Sequence, residues 1–321
     1  MRTINQFVAY FFIIISLSSL HGIAQTYPQQ VVRVIVPAAP GGGVDIIARL
    51  IAYHLGDQLN QKFIVENRTP SGLAGEVVAK ASPNGHTLMV STATYLVNRS
   101  LYPNLGYDPL RDISTISLIG STPIIIVCHP SLPVQSVSQL VEFAKRKPGA
   151  LNYGSGGNGS PLHLAGELFK QEAKVNIVHV AYRGTAPAAM ELLSGQMQVM
   201  FPSVISMYPY IQSGRTRVLA VLGQQRSKAL PNTPTSAEVG LPGLIASIWY
   251  GLLTTAGTPK SVVMLLHQNV VKALANKDLN ERLQRDSVEQ IGSTPEEFAS
   301  FAANENTKWS SVIKAGNITA Q

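Results

Sequence analysis

The sequence predicts an α/β protein of two lobes with a ligand cleft between them, and three observations carry that expectation. Apolar runs with strand character alternate with runs of helical period. The alternation starts afresh in mid-chain and leaves a C-terminal portion too long to be an appendage, so one lobe is interrupted by the other. Two glycine-rich turns, Pro37-Ala-Ala-Pro-Gly-Gly-Gly-Val-Asp45 and Tyr153-Gly-Ser-Gly-Gly-Asn-Gly-Ser-Pro161, each lie between a strand-like and a helix-like run, one in each unit.

Residues 31–36 form a nearly continuous β-branched run, the pattern of a strand buried on both faces of a parallel sheet. Apolar residues at helical spacing, among them Ile47, Leu50, Ile51, Leu55 and Leu59, predict a helix over 44–59. A strand at 63–65, a short helix at 75–81 and a strand at 87–90 follow, the last after the Pro83-Asn84-Gly85 turn. The middle unit repeats the grammar. A strand at 124–128 leads to a helix at 138–147 that Pro148-Gly149 stops, and a short strand at 151–153 leads into the second glycine turn. Pro161, suited to a first helical position, opens a helix to about residue 171. Strands at 176–180, 198–201 and 217–222 and a helix at 187–193 complete the unit. A strand at 249–253, a long helix at 260–275 and a helical tail at 295–314 end the chain. Crossings near 120–123 and 222–225 divide the whole into residues 25–121 with 223–321 as lobe 1 and residues 122–222 as lobe 2, behind a signal peptide at 1–24. Closure about such crossings is the expected working motion.

The signal peptide is read from Arg2, the apolar stretch 8–20 and the small residues Gly22-Ile23-Ala24, which place cleavage after Ala24 in a periplasmic protein. The stretch is short of the roughly 20 residues a bilayer requires. The single cysteine, Cys128, sits in an apolar run without activating charges, which suits a buried, inert thiol. The net charge of +7 is spread out, with Lys145-Arg146-Lys147 the densest cluster and that at a helix end, so nucleic acid is a poor partner while anionic solutes are favoured.

Catalytic constellations are sparse. His54, His86, His129, His163, His179 and His267 make no compact metal spacing, and no Gly-x-Ser-x-Gly elbow is present. Residues 154–159 match the dinucleotide pattern Gly-x-Gly-x-x-Gly, but no acidic residue closes the next strand for a ribose contact. The first turn lacks the Lys-Ser/Thr of a P-loop. No acid, base and nucleophile set emerges, so an enzyme is disfavoured, and neither metal nor cofactor is expected. What remains is binding. Glycine permits close backbone approach and helix N-termini present unpaired N–H donors, so each turn is an anion cradle. Asp45, in a first helical turn, suits dipole complementation or capping better than ligand contact.

The ordered motifs Val36-Pro37 with Gly41-Gly-Gly-Val-Asp45, Val65-Glu66-Asn67-Arg68, Pro83-Asn84-Gly85, Tyr107-Asp108-Pro109, Tyr153-Gly-Ser-Gly with Gly159-Ser160 and His163-Leu164, Tyr182-Arg183-Gly184 with Ala186-Pro187-Ala188, and Leu230-Pro-Asn-Thr-Pro-Thr235 with Ala237-Glu238 resemble the Bug family. These are periplasmic solute-binding components of tripartite tricarboxylate transporters, and the likeness runs from about Tyr27 to the C-terminus. The resemblance implies a type II periplasmic-binding-protein fold closing on a small organic carboxylate: a di- or tricarboxylate, an acidic amino acid or an aromatic carboxylate. It also implies a monomer that delivers its guest to a membrane permease of one large and one small subunit. The alternative is a liganded protein that signals to a membrane sensor kinase. The ligand-binding set it implies is Pro40, Gly41, Gly42 and Gly43 with Ser71, Gly72 and Thr92 on one side, and Ser155, Gly156, Gly157, Gly159 and Ser160 with Thr185, Ala186, Pro187 and Ser203 on the other. Two departures stand out: Ala38 replaces an aromatic residue, and residues 69–75 are shorter and poorer in glycine than usual.

Overall fold

The computed structural model describes residues 27–102 and 104–319, so the expected signal peptide lies outside the described residues. The first part of the chain runs β1 (Val32–Val36), α1 (Gly43–Gln58), β2 (Phe63–Asn67), α2 (Ser71–Ala79), β3 (Thr87–Ser91), α3 (Thr94–Leu101) and β4 (Ile113–Pro123). Then come β5 (Ile125–Cys128), α4 (Val137–Arg146), β6 (Asn152–Ser155), α5 (Pro161–Ala173), β7 (Val178–Ala181), α6 (Thr185–Leu193), β8 (Val199–Met200), α7 (Val204–Gln212) and β9 (Arg217–Val221). The chain closes with β10 (Ser247–Thr255), α8 (Lys260–Leu274), α9 (Lys277–Arg285), β11 (Glu289–Gln290) and α10 (Pro295–Ala315).

Two sheets result, one of six strands ordered β11-β4-β10-β3-β1-β2 and one of five ordered β7-β6-β8-β5-β9. β1 pairs in parallel with both β2 and β3, as its unbroken apolar run requires. Neither sheet is wholly parallel: β10 runs antiparallel to β3 and β4, and β5 antiparallel to β8 and β9. The antiparallel strands belong to the segments where the chain passes between the sheets. At that passage three backbone bonds form a ring, from Ile124 N to Ala246 O at 3.2 Å, from Leu222 N to Ile124 O at 2.7 Å, and from Ala246 N to Leu222 O at 2.9 Å. Each crossing segment therefore satisfies the next, so the passage stays dry and ordered.

The elements the sequence does not announce have identifiable causes. In β4, the pairing with β10 skips Ile119 between Gly120 and Leu118 and skips Ile116 between Ser117 and Thr115. Two bulges thus destroy the period-2 signal of a strand that is nevertheless central. Pro209 inside α7 has no N–H to give and reads as a breaker. α2 begins at Ser71, four residues before its expected start, because Pro70 supplies the entry. Cys128 is fully buried, and burial pushes its thiol up to about 11 despite the nearby Arg217, consistent with the inert role expected of it.

Candidate functional site

A cavity of about 410 Å³ lies between the two sheets, within the roughly 300–1,000 Å³ of small-molecule sites. Its wall is made from the starts of helices. Gly43 and Val44 open α1, Pro70 and Ser71 open α2, Thr92 and Thr94 lie at the start of α3, and Ser160, Pro161 and Leu162 open α5. Gly184 and Thr185 open α6, and Ser203 is the N-cap of α7. Each such end carries N–H groups without intrahelical acceptors and about half a positive charge.

The capping pattern separates these helices from most of the others. The N-caps of α1, α2, α3, α6 and α7 (Gly42, Pro70, Ala93, Gly184 and Ser203) make no side-chain cap, and only Ser160 of α5 does so on this wall. Away from the cavity, α4, α9 and α10 are capped by Ser136, Asn276 and a Thr294–Glu297 capping box, while α8, behind Pro259, is not. At α3 the Thr94 amide still finds Thr92 Oγ1 at 3.4 Å, whereas the starts of α1, α2, α6 and α7 lack the side-chain cap a helix ordinarily carries. Among the described lining residues there is no aspartate or glutamate, and Arg183, exposed at the mouth, is the one cation.

Of the residues expected to bind ligand, Gly43, Ser71, Thr92, Gly156, Gly157, Ser160, Thr185 and Ser203 line this cavity. Pro40, Gly41, Gly42, Gly72, Ser155, Gly159, Ala186 and Pro187 are not among its lining residues, and for Gly41, Gly159 and Ser155 the surroundings show a supporting role. Gly41 N donates to Asp45 Oδ2 at 2.9 Å, while Asp45 also accepts from Arg49 Nε at 3.0 Å and Asn67 Nδ2 at 2.9 Å. Burial works to raise the Asp45 pKa, but these bonds outweigh it and hold the carboxyl below its ordinary value, so Asp45 pins the loop and spends itself there. Gly159 adopts φ +71°, and a Cβ there would fall 2.2 Å from Leu101 Cδ1, so this glycine serves the close approach of α3 to the second loop.

Ser155 stands behind the wall as a fastener. Its Oγ meets His179 Nε2 at 2.6 Å and accepts from Gly157 N at 3.1 Å. The His179 ring stacks on His163 at 3.7 Å with 5° between planes, and His163 Nδ1 accepts from Gly159 N at 3.1 Å. Burial first, then the Lys170 charge, lowers His163 to about 4. His179 is lowered to about 3 by burial and by its partner imidazole, the nearby Glu167 only partly opposing this. Two neutral imidazoles therefore hold the glycine loop from beneath, an arrangement no sequence spacing reveals.

The loops meet directly at the rim. Ala39 N donates to Arg183 O at 3.3 Å, and Gly42 and Thr185 face each other so closely that a Cβ on Gly42 would lie 3.4 Å from Thr185 Cβ. The two loops thus touch across the mouth of the cavity. Residues Pro37, Ala38, Asn158, Tyr182, Ile248 and Tyr250 also line the cavity, and sequence reasoning did not select them as ligand contacts. The motif containing Tyr182 was visible, whereas the β10 residues carry no local signal.

Two α/β lobes closed on a cavity walled by helix N-termini define a periplasmic-binding-protein fold, in which the structure of a periplasmic transporter shares TM-score 0.89 and 36% identity, covering 92% of this chain and all of that one. Residues 47–318 match the tripartite tricarboxylate transporter family receptor, TctC, and the chain belongs to that family. It is 32% identical over 295 residues to protein BugT of Bordetella pertussis, covering 91% of this chain and 90% of that protein. Rpa4515 of R. palustris, solved with adipate, is similar at 32% identity and TM-score 0.88, covering 91% of this chain and 99% of that one. The family is one of receptors rather than enzymes. Among the described residues no helix is long and apolar enough to cross a membrane.

Proposed function

We propose that this protein is an exported receptor, cleaved after Ala24, that closes on a small organic carboxylate in the periplasm and hands it as a monomer to a permease of one large and one small membrane subunit. The observation that carries this reading is the convergence of largely uncapped helix N-termini on a cavity whose described lining holds no acidic side chain. Such a wall offers N–H donors and positive potential to an anion without placing a formal charge beside it. The adipate seen in the R. palustris relative fits the same chemistry.

In this reading residues 25–121 with 223–321 form one lobe and 122–222 the other, moving about the ring of bonds at Ile124, Leu222 and Ala246. The amides of Gly43 and Val44 with Ser71 and Thr92 hold the guest from the first lobe, and the 156–160 loop, Thr185 and Ser203 from the second. A cavity near 410 Å³ has room for a small di- or tricarboxylate and for an aromatic carboxylate alike.

Protein stripped of retained guest by denaturation and refolding, then titrated calorimetrically with a panel of mono-, di- and tricarboxylates, tests this. One member of the panel binds with 1:1 stoichiometry and stabilises the protein by about 3 kcal/mol at a hundredfold excess over Kd. Absence of heat and of any melting shift across the panel contradicts the reading.

A further inference from the structure

Beyond the backbone donors, we infer that Tyr250 is a ligand-binding residue, its hydroxyl donating to an oxygen of the bound carboxylate at the hinge side of the cavity. The inference rests on the carboxylate reading above and adds to it the side chain that receives the guest where the chain crosses between sheets. Tyr250 lies on β10 and lines the cavity with Ile248, two residues earlier on the same face of the strand. The alternate residue, Trp249, turns the other way and donates through Nε1 to Glu305 at 2.7 Å.

The Tyr250 side chain is fully buried, and its hydroxyl makes no hydrogen bond of good geometry within the protein, Ser203 being the one side chain near enough to act on it. Buried hydroxyls are nearly always paired, because leaving one unpaired forfeits the hydrogen bond it made to water. Among the described residues, of the buried side-chain atoms in this condition Tyr250 Oη is the one that belongs to a cavity-lining residue. Its surroundings are also those of an anion site. A Cβ placed on Gly43 would fall 2.8 Å from Tyr250 Oη and 3.1 Å from Ser203 Oγ, so the phenol, the serine and the first amide of α1 converge on one part of the wall. Ser203 Oγ is itself engaged with Ser206 Oγ at 3.1 Å. Burial raises the Tyr250 pKa, so the group stays a neutral O–H donor at every physiological pH. A protonated phenol beside an uncapped helix start complements a carboxylate and offers nothing to a hydrocarbon tail.

Tyr250→Phe removes only the oxygen. Calorimetry of stripped wild-type and Tyr250→Phe protein with malate and adipate as probes is expected to show at least a tenfold weaker affinity in the variant for whichever probe the wild type binds. The melting temperature of the guest-free variant should be equal or higher, because an unpaired buried hydroxyl is lost. Equal affinities overturn this inference and leave the carboxylate reading intact. Weaker binding accompanied by a lower guest-free melting temperature also overturns it, since the hydroxyl would then serve the fold. Wild-type protein that binds no carboxylate overturns both.

Discussion

The amide of Ala39 and the carbonyl of Arg183 meet at 3.3 Å, tying the loop after β1 to the loop after β7 across the cavity mouth. Gly184 makes this approach feasible: it holds φ +129°, and a Cβ there would sit 3.0 Å from both Ala39 N and Ala39 Cβ. A side chain would have to push the two loops apart. Gly184→Ala is therefore expected to weaken guest affinity tenfold or more, equivalent to about 1.4 kcal/mol or more, and to lower the melting temperature modestly through backbone strain. Calorimetry and thermal unfolding of the variant check both effects.

The stacked His163–His179 pair makes stability depend on pH in a defined window. Unfolded, each imidazole titrates near ~6.5; folded, burial lowers them to about 4 and about 3. Between those limits the unfolded chain binds more protons, so stability is lost as pH falls from roughly 6.5 toward 3 and is unaffected by the pair above it. The loss is on the order of a few kcal/mol by pH 5. Because His179 meets Ser155 Oγ and His163 holds Gly159 N, guest affinity should fall in the same window. Denaturant titrations at stepped pH, with His179→Asn showing a flatter slope, measure it.

Asp45 supports the site from behind, bonded to Gly41, Arg49 and Asn67 and absent from the cavity lining. Replacing it with asparagine removes the charge-assisted bonds from Gly41 N and Arg49. A destabilisation of about 1–3 kcal/mol is expected, together with weaker binding through a loosened loop. Stability that depends on the ionised Asp45 is present at neutral pH and lost as pH falls through its lowered folded pKa, so the variant and wild type should converge in strongly acid solution. Urea unfolding of both proteins at neutral and acid pH tests this.

An ammonium group on the guest finds no carboxylate among the described lining residues. Succinate should therefore bind at least tenfold more tightly than aspartate, which has the same carbon chain. Direct competition by calorimetry decides the matter, and a preference for aspartate would show that carbonyl acceptors outweigh the helix starts.

The fold and the site were unequally legible in the sequence. Uniform strands such as β1 announced themselves, while β4 was hidden by bulges at Ile116 and Ile119 that break its alternation. The glycine turns were visible because the requirement is local, yet their detailed roles were not. Gly159 proved to face Leu101, and Ser155 to face His179, across sequence separations that no local pattern encodes. Tyr250 reads only as strand, because its place on the cavity wall depends on which face of β10 turns inward. Arg183, legible only within its motif, stands at the mouth because α6 begins two residues beyond it.

A crystal structure of the protein with its tightest-binding carboxylate decides whether helix starts, rather than charged side chains, hold the guest. Carboxylate oxygens are expected within hydrogen-bonding distance of the amides of Gly43 or Val44 and of the second-lobe donors around Gly157 and Thr185. A carboxylate paired with Arg183 alone at the mouth, its other end in the cavity and those amides left to water, would contradict that role of the helix starts.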